Sequence, residues 1–119
     1  MKTSSAKAKG RRLQQLIRNA LRTIGKPLGL EDGDIESRGM GQNGTDVILS
    51  PKANSTFGRL AIECKNVETL NVRKTFEEHA AKYNSTYIPW LIHSKNHSDC
   101  LVTMYLQDFL AYFEEAIAK

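Results

Sequence analysis

A chain of 119 residues has material for one domain around a single modest core and not for two. Its 40% hydrophobic and 25% charged residues are ordinary globular values and exclude a disordered or fibrous chain. The net charge of +4 is small but lopsided: residues 1–30 carry Lys2, Lys7, Lys9, Arg11, Arg12, Arg18, Arg22 and Lys26 and no acidic residue. A polyanion is the expected partner, with a solvated tail as the plain alternative.

No run approaches the roughly 18 apolar residues of a membrane span, and the N-terminus lacks the apolar stretch of a signal peptide. An intracellular location with no membrane partner is therefore expected. The two cysteines, Cys64 and Cys100, show no CxxC spacing, which argues against a disulfide framework or a thiolate zinc site. Both read as buried thiols. The N-x-S/T matches at Asn43, Asn54, Asn84 and Asn96 have no secretory context and carry no weight.

In chain order, residues 1–9 are small, polar and basic and predict a flexible basic arm ahead of a single domain over residues 10–119. Leu13, Leu16, Ile17, Ala20, Leu21 and Ile24 fall on helical spacing and are followed by Gly25 and Pro27, which predicts a helix over about 10–24. Residues 26–33 read as loop and 34–38 as a short strand. Val47, Ile48 and Leu49 predict a second strand stopped by Ser50-Pro51, and residues 59–66 a third. The intervening SPKANSTFG reads as a turn of antiparallel length. A helix over about 72–84, strands over 87–93 and 100–105, and a terminal helix marked by Phe109, Leu110, Phe113 and Ile117 complete the order α-β-β-β-α-β-β-α. The fold class expected is α/β, with a central mixed sheet of about five strands flanked by helices.

The stretch from Gly39 to Gly44 matches the GxGxxG dinucleotide fingerprint, but Thr45-Asp46-Val47-Ile48-Leu49 continues as a strand where that fingerprint needs a helix N-terminus. No nucleotide cofactor is expected, although such a loop lets backbone approach a phosphate. His93, His97, Asp99 and Cys100 are too loosely spaced for a zinc site. No serine sits on a nucleophile elbow.

Asp46 and the Glu63-Cys64-Lys65 stretch carry more chemistry. Residues two apart on a strand share a face, so Glu63 and Lys65 point one way while Ile62 and Cys64 point the other. Phosphodiester hydrolysis needs charge neutralised at the phosphate, a nucleophilic water near pH 7 and a stabilised leaving oxygen, and Mg²⁺ (or Mn²⁺) held by carboxylates meets all three needs. Asp46 and Glu63 are the candidate ligands, and Lys65 the candidate for orienting or deprotonating the water. The bland alternative is a surface strand on which a Glu and a Lys happen to alternate.

Asp46 followed after sixteen residues by Glu63-Cys64-Lys65, after a helix and a short strand and before a second helix, resembles the core of the PD-(D/E)XK nuclease superfamily, with its restriction-endonuclease-like fold. Lys9-Gly10-Arg11-Arg12-Leu13, Ser37-Arg38-Gly39, Gly44-Thr45-Asp46-Val47 and Ile62-Glu63-Cys64-Lys65-Asn66 further resemble small phage-type nucleases and archaeal-type Holliday junction resolvases, over about residues 9–110. The resemblance implies a metal-dependent DNA endonuclease acting as a homodimer. It assigns metal to Asp46 and Glu63, catalysis to Lys65, and a place beside the scissile phosphate to Ser37. It also makes the Cys64 backbone carbonyl a candidate ligand.

Resolvases of this type carry a glutamate on the first helix, where this chain has Gln14. At about 100° per residue Gln14 lies next to Leu21 at the edge of the apolar stripe, so it can face the site. Three readings stay open: Gln14 ligates through its carbonyl oxygen, Glu36 substitutes for it, or the protein binds DNA without strong catalysis. Glu78 and His79 fall where related nucleases place a polar residue, but the register assigns neither a catalytic role. Lys7, Lys9, Arg11, Arg12, Arg18 and Arg38 are the candidate DNA-binding side chains, with Lys2 in the arm. The expected function is an endonuclease selective for branched DNA. The alternatives are a nuclease for ordinary duplex or single-stranded DNA, a non-catalytic DNA-binding module and, last, an RNA binder.

Overall fold

A computed structural model describes residues 2–39, 44–83 and 85–118, with side chains from Ala6 onward. Asn43, Asn84 and the middle of the glycine loop, residues 40–43, lie outside the described residues, as does the side chain of Lys2.

The chain opens with α1, Lys2–Gly25. Residues 2–9, expected as a flexible arm, are the first turns of this helix: Ala6, Lys7, Ala8 and Lys9 are strong helix formers, and a glycine such as Gly10 costs only about 1 kcal/mol inside a helix. Leu13 and Leu21 are buried and Ile17 packs against the same cluster. Leu16 and Ile24 stay exposed, so the buried stripe is narrower than the apolar pattern. At the helix end Leu30 presses onto Gly25 so closely that a Cβ there would lie 2.7 Å from Leu30 Cδ1.

Strands β1, Ile35–Ser37, and β2, Val47–Leu49, pair antiparallel with Ser37 opposite Val47. The SPKANSTFG segment is not a plain turn. It contains α2, Pro51–Phe57, in which the Ser50 hydroxyl accepts the Ala53 N–H, Pro51 opens the first turn and Ala53 is buried. A hydroxyl cap followed by proline at the first helical position is a helix-start signature. Gly58, at φ +94°, ends the helix and turns the chain into β3, Leu60–Asn66.

Strand β3 pairs antiparallel with β2, then α3, Val72–Ala80, crosses to β4, Ile88–Ser94, which lies parallel to β3. Strand β5, Leu101–Thr103, closes the sheet antiparallel to β4, and α4, Leu106–Ile117, follows. Among the described residues the architecture is α/β: a mixed five-stranded sheet in the order β1-β2-β3-β4-β5 with four α-helices, compatible with a restriction-endonuclease-like core. It is the expected class with one extra helix.

Ile62 and Cys64 pack with Leu13, Leu21 and Ile92 on the α1 side of the sheet. Ala61, Glu63 and Lys65 alternate to the side where α3 lies, as period-two geometry requires. Ile35, Val47, Ile62 and Leu91 are fully enclosed, and burying side chains of this kind contributes about 1.5–3 kcal/mol each. Cys64 is buried as expected; Cys100, in the turn before β5, is exposed instead. No helix of the described residues is long and apolar enough to cross a membrane.

Candidate functional site

Asp46 sits just before β2, where its backbone is clamped from both sides. Its N–H donates to Ile62 O at 2.9 Å, and its carbonyl accepts the Arg38 N–H at 2.8 Å. Those bonds aim the carboxylate along β3, where Oδ2 accepts the Cys64 N–H at 2.8 Å. The side chain is buried, 2% exposed. Burial pushes the Asp46 carboxyl above its ordinary range; the Cys64 N–H opposes this, the Glu63 charge adds to it, and Arg38 and Lys65 offset part.

The guanidinium of Arg38 stands 2.8 Å from Asp46 Oδ1, and its other terminal nitrogen donates to Gly44 O at 3.1 Å. The contact with Oδ1 is an ion pair without a directed hydrogen bond, so this enclosed oxygen has no donor aimed along its lone pair. Arg38, expected as a DNA contact, is thus the counter-ion of Asp46.

On β3, Glu63 and Lys65 share a face, with Lys65 Nζ 3.6 Å from Glu63 Oε2. The other carboxylate oxygen of Glu63 lies 4.0 Å from His79 Nδ1. His79 is 3% exposed, and its Nε2 meets Ala61 O at 2.8 Å. A carbonyl only accepts, so Nε2 carries a proton and donates it to Ala61 O, and the ring turns Nδ1 toward Glu63. Glu63 is therefore held between a lysine and a histidine, neither close enough to take up its lone pairs. The position of His79 depends on how α3 is rotated against the sheet, which the sequence signalled only as a polar residue of unfixed register.

These groups open onto one cleft of about 410 Å³, lined by Asp46, Glu63, Cys64 and Lys65 from the sheet and by Lys7, Arg11 and Gln14 from α1, with Arg38 and Asn66 at its sides. The expected trio is brought together, and Gln14 faces it. Glu36 is not on this cleft: its carboxylate binds Arg22 at 3.1 Å. Ser37 is also off the cleft lining, its hydroxyl 3.4 Å from Arg18 Nη1. Lys9, Arg12 and Arg18 do not line the cleft, whereas Lys7 and Arg11 do.

Burial of the cysteine thiol and the nearby carboxylates push the Cys64 pKa far up, so Cys64 contributes as a neutral wall and not as a thiolate ligand. Asn66 was not a sequence candidate. Its Oδ1 is buried without a hydrogen-bond partner on the same cleft.

Two enclosed oxygens to which no hydrogen bond is directed, Asp46 Oδ1 beside its ion-pair partner Arg38 and Asn66 Oδ1, together with a second carboxylate form an acceptor-rich wall that fits a hard divalent cation. Among the described residues no three His, Cys, Asp or Glu side chains gather into a metal-holding set. Mg²⁺ is commonly held by one or two carboxylates with water and substrate phosphate completing its shell. Asp46 and Glu63 could hold such an ion, with Gln14, Asn66 or the Cys64 carbonyl as neutral oxygen donors.

No protein-family model matches the chain, and no curated protein or solved structure matches it.

Proposed function

We propose that the chain is a Mg²⁺-dependent (or Mn²⁺-dependent) DNA endonuclease of the PD-(D/E)XK type, selective for branched DNA and acting as a homodimer. The observation that carries this reading is the convergence of Asp46, Glu63 and Lys65 on one open cleft whose α1 wall presents Lys7 and Arg11. Acidic groups at the back of a cleft and basic groups at its mouth are the arrangement needed to bind a phosphodiester and react with it.

Asp46 and Glu63 would hold a divalent ion, which would supply Lewis-acid charge at the phosphate and lower the cost of ionising water. The chain's own residues do the rest. Lys7 and Arg11 hold the flanking phosphates without reading sequence. Lys65, partly exposed at the cleft, orients the attacking water and neutralises charge gathering on the phosphate. His79 stands behind the Glu63 carboxylate, its Nδ1 4.0 Å from Oε1. Branch selectivity and the two-fold dimer rest on the sequence resemblance, together with the fit of paired sites to a two-fold junction.

Replacing Lys65 with Ala and following Mg²⁺-dependent nicking of a four-way junction tests the chemistry. Removal of a positioned proton-transfer group costs about 10²- to 10⁴-fold in rate, and undiminished nicking would sink the assignment. Competition between the junction and linear duplex of the same sequence tests selectivity. Equal affinity at moderate salt favours a nuclease for ordinary DNA.

One observation favours a second reading, a non-catalytic DNA-binding module: Arg38 already stands as an ion-pair partner of Asp46. Calorimetry with Mn²⁺ separates the two, since the binder shows no metal uptake that depends on Asp46 and Glu63.

A further inference from the structure

Three of the chain's four tyrosines, Tyr83, Tyr87 and Tyr105, line one groove of about 350 Å³ together with Pro89, Gln107 and Asp108. None of the three is buried, and Tyr105 is 44% exposed, whereas its neighbour Phe76 is enclosed. The Tyr83 and Tyr87 ring centroids lie 5.7 Å apart with the planes at 53°, and Tyr105 stands edge-on to Phe76 at 5.0 Å. The Arg59 guanidinium lies 4.5 Å from the centre of the Tyr87 ring and donates to the Tyr87 hydroxyl at 3.1 Å. Open aromatic rings with a cation stacked on one of them offer what an unpaired nucleobase uses: π-surface to stack on and positive charge near its phosphate.

The groove leads on from the candidate site. A recess of about 260 Å³ shares Glu63 and Lys65 with the cleft and adds His79 from α3 and Lys82 from the turn after it. The His79 ring meets Tyr83 edge-on, 5.4 Å between centroids, and Tyr83 directly follows Lys82 in the chain. Burial pushes the Tyr83 hydroxyl pKa up, and the charges of Glu63 and Asp46 push it further, so the ring and the site carboxylates share one field. On the sheet, Ala61 pairs with Pro89 and Glu63 with Leu91 in parallel register, which puts Pro89 on the face that carries Glu63 and Lys65. Tyr87 precedes Leu91 by four residues, or about 13 Å at roughly 3.3 Å per strand residue. That distance spans about four stacked nucleotides at roughly 3.4 Å each.

We propose that the tyrosine groove stacks unpaired bases of a DNA strand whose reacting phosphate lies at Lys65, so that the preferred substrate carries a single-stranded arm about four nucleotides from the cut. Lys82 holds a phosphate between the two points, and Tyr83, Tyr87 and Tyr105 take the bases. Asp108, the one acidic group of the groove lining, accepts an exocyclic amino group such as that of cytosine. A fully paired duplex has no open base faces to offer the tyrosines. The groove thus narrows the branched DNA of the proposed function to a branch with unpaired bases, and it rests on that reading for DNA as the partner. A proline-rich peptide also docks in aromatic grooves. The path past Lys82 into a cleft with Lys7 and Arg11, and the Arg59 guanidinium on Tyr87, suit a polyanion and add nothing for a neutral peptide.

Fluorescence anisotropy on the full chain without divalent metal is the test, with a forked duplex bearing a short oligodeoxycytidine arm and the same fork with an abasic arm. The two arms carry equal phosphate charge, so only the bases differ. The wild type is expected to prefer the base-bearing arm by about 5- to 100-fold, the range for stacking a base on an aromatic ring. The Tyr83→Leu/Tyr87→Leu variant loses that preference, and the Tyr83→Phe/Tyr87→Phe variant keeps it. Equal affinity of the wild type for the two arms, or a leucine variant that keeps the preference, overturns the proposal. An oligoproline peptide that then binds the wild type and not the leucine variant makes peptide the occupant. If the leucine variant shows no thermal transition, the wild-type comparison and a Tyr105→Leu variant at the more exposed ring decide by the same criteria. Base-dependent binding by a chain that nicks no DNA leaves the groove standing and overturns the chemistry, and nicking of a junction with no preference between the arms does the reverse.

Discussion

Arg38 holds its guanidinium 2.8 Å from Asp46 Oδ1, the enclosed oxygen to which no hydrogen bond is directed. The arginine thus stands beside the oxygen that a divalent cation bound to Asp46 would use. Two cations cannot share one oxygen without repulsion, so metal uptake and the Arg38 ion pair compete. Replacing Arg38 with Gln is expected to tighten Mn²⁺ binding about two- to fivefold, the worth of a partly exposed ion pair, as read by calorimetry. Unchanged or weaker binding would show that Arg38 does not compete with the ion at Asp46.

Asp46 is also a stability liability. Burial raises its carboxyl pKa in the folded chain above the ordinary value, so the folded state binds the proton more tightly than the unfolded state does. The sign follows from linkage: this contribution to stability is fully present below the unfolded pKa, and is lost as pH rises through the folded one. At neutral pH the fold carries an incompletely compensated charge. Asp46→Asn is therefore expected to raise stability at pH 7 by on the order of 1 kcal/mol, with the gain shrinking as pH falls toward 4. Urea unfolding at several pH values measures it. Mg²⁺ should raise the thermal midpoint of the wild type and leave the variant unchanged.

The grouping around Asp46 was legible in the sequence because two periodicities suffice for it. Period two puts Glu63 and Lys65 on one strand face, and 3.6 residues per turn puts Gln14 beside Leu21. Arg38 was not legible in this role, since it follows a short strand and enters the glycine loop, where no periodicity fixes where a long side chain reaches. The α2 helix was missed although Ser50-Pro51 announces it, because a nine-residue gap between strands is also a plausible turn. The outward rotation of α4 could not be read either: its apolar stripe looks like a core face, and only the contact of Tyr112 with Trp90 shows that it faces away.

His79 bridges β3 and the back of the site. Its Nε2–H is bound to Ala61 O, and Nδ1 faces Glu63. His79→Ala removes a buried ring and leaves that carbonyl without its side-chain donor, so a loss of about 2–4 kcal/mol is expected in urea unfolding. His79→Phe restores the volume but not the donor, and should remain about 1–2 kcal/mol below the wild type. Full recovery with Phe would reduce the histidine to packing. In the folded Phe variant, weaker Mn²⁺ uptake than wild type would show that the ring also positions Glu63.

The basic residues of α1 differ in what they face. At about 100° per residue, Lys7, Arg11, Gln14, Arg18 and Arg22 lie within roughly 80° of arc, whereas Lys9 and Arg12 fall outside it. The C-terminal end of this stripe is occupied at β1, where Arg22 donates to Ile35 O at 2.9 Å and Arg18 reaches Ser37. The N-terminal end, Lys7 and Arg11, opens on the cleft. DNA crossing the cleft should therefore exchange counterions with Lys7 and Arg11 first. Replacing both with Gln is expected to flatten the slope of log affinity against log salt by about 1.8, two phosphate contacts at about 0.9 each, while the Lys9→Gln/Arg12→Gln pair changes it by less than half as much. Fluorescence anisotropy with a labelled junction between low and moderate salt reads both slopes. Equal flattening by the two pairs would mean that DNA lies along the outer face of α1 and not across the cleft.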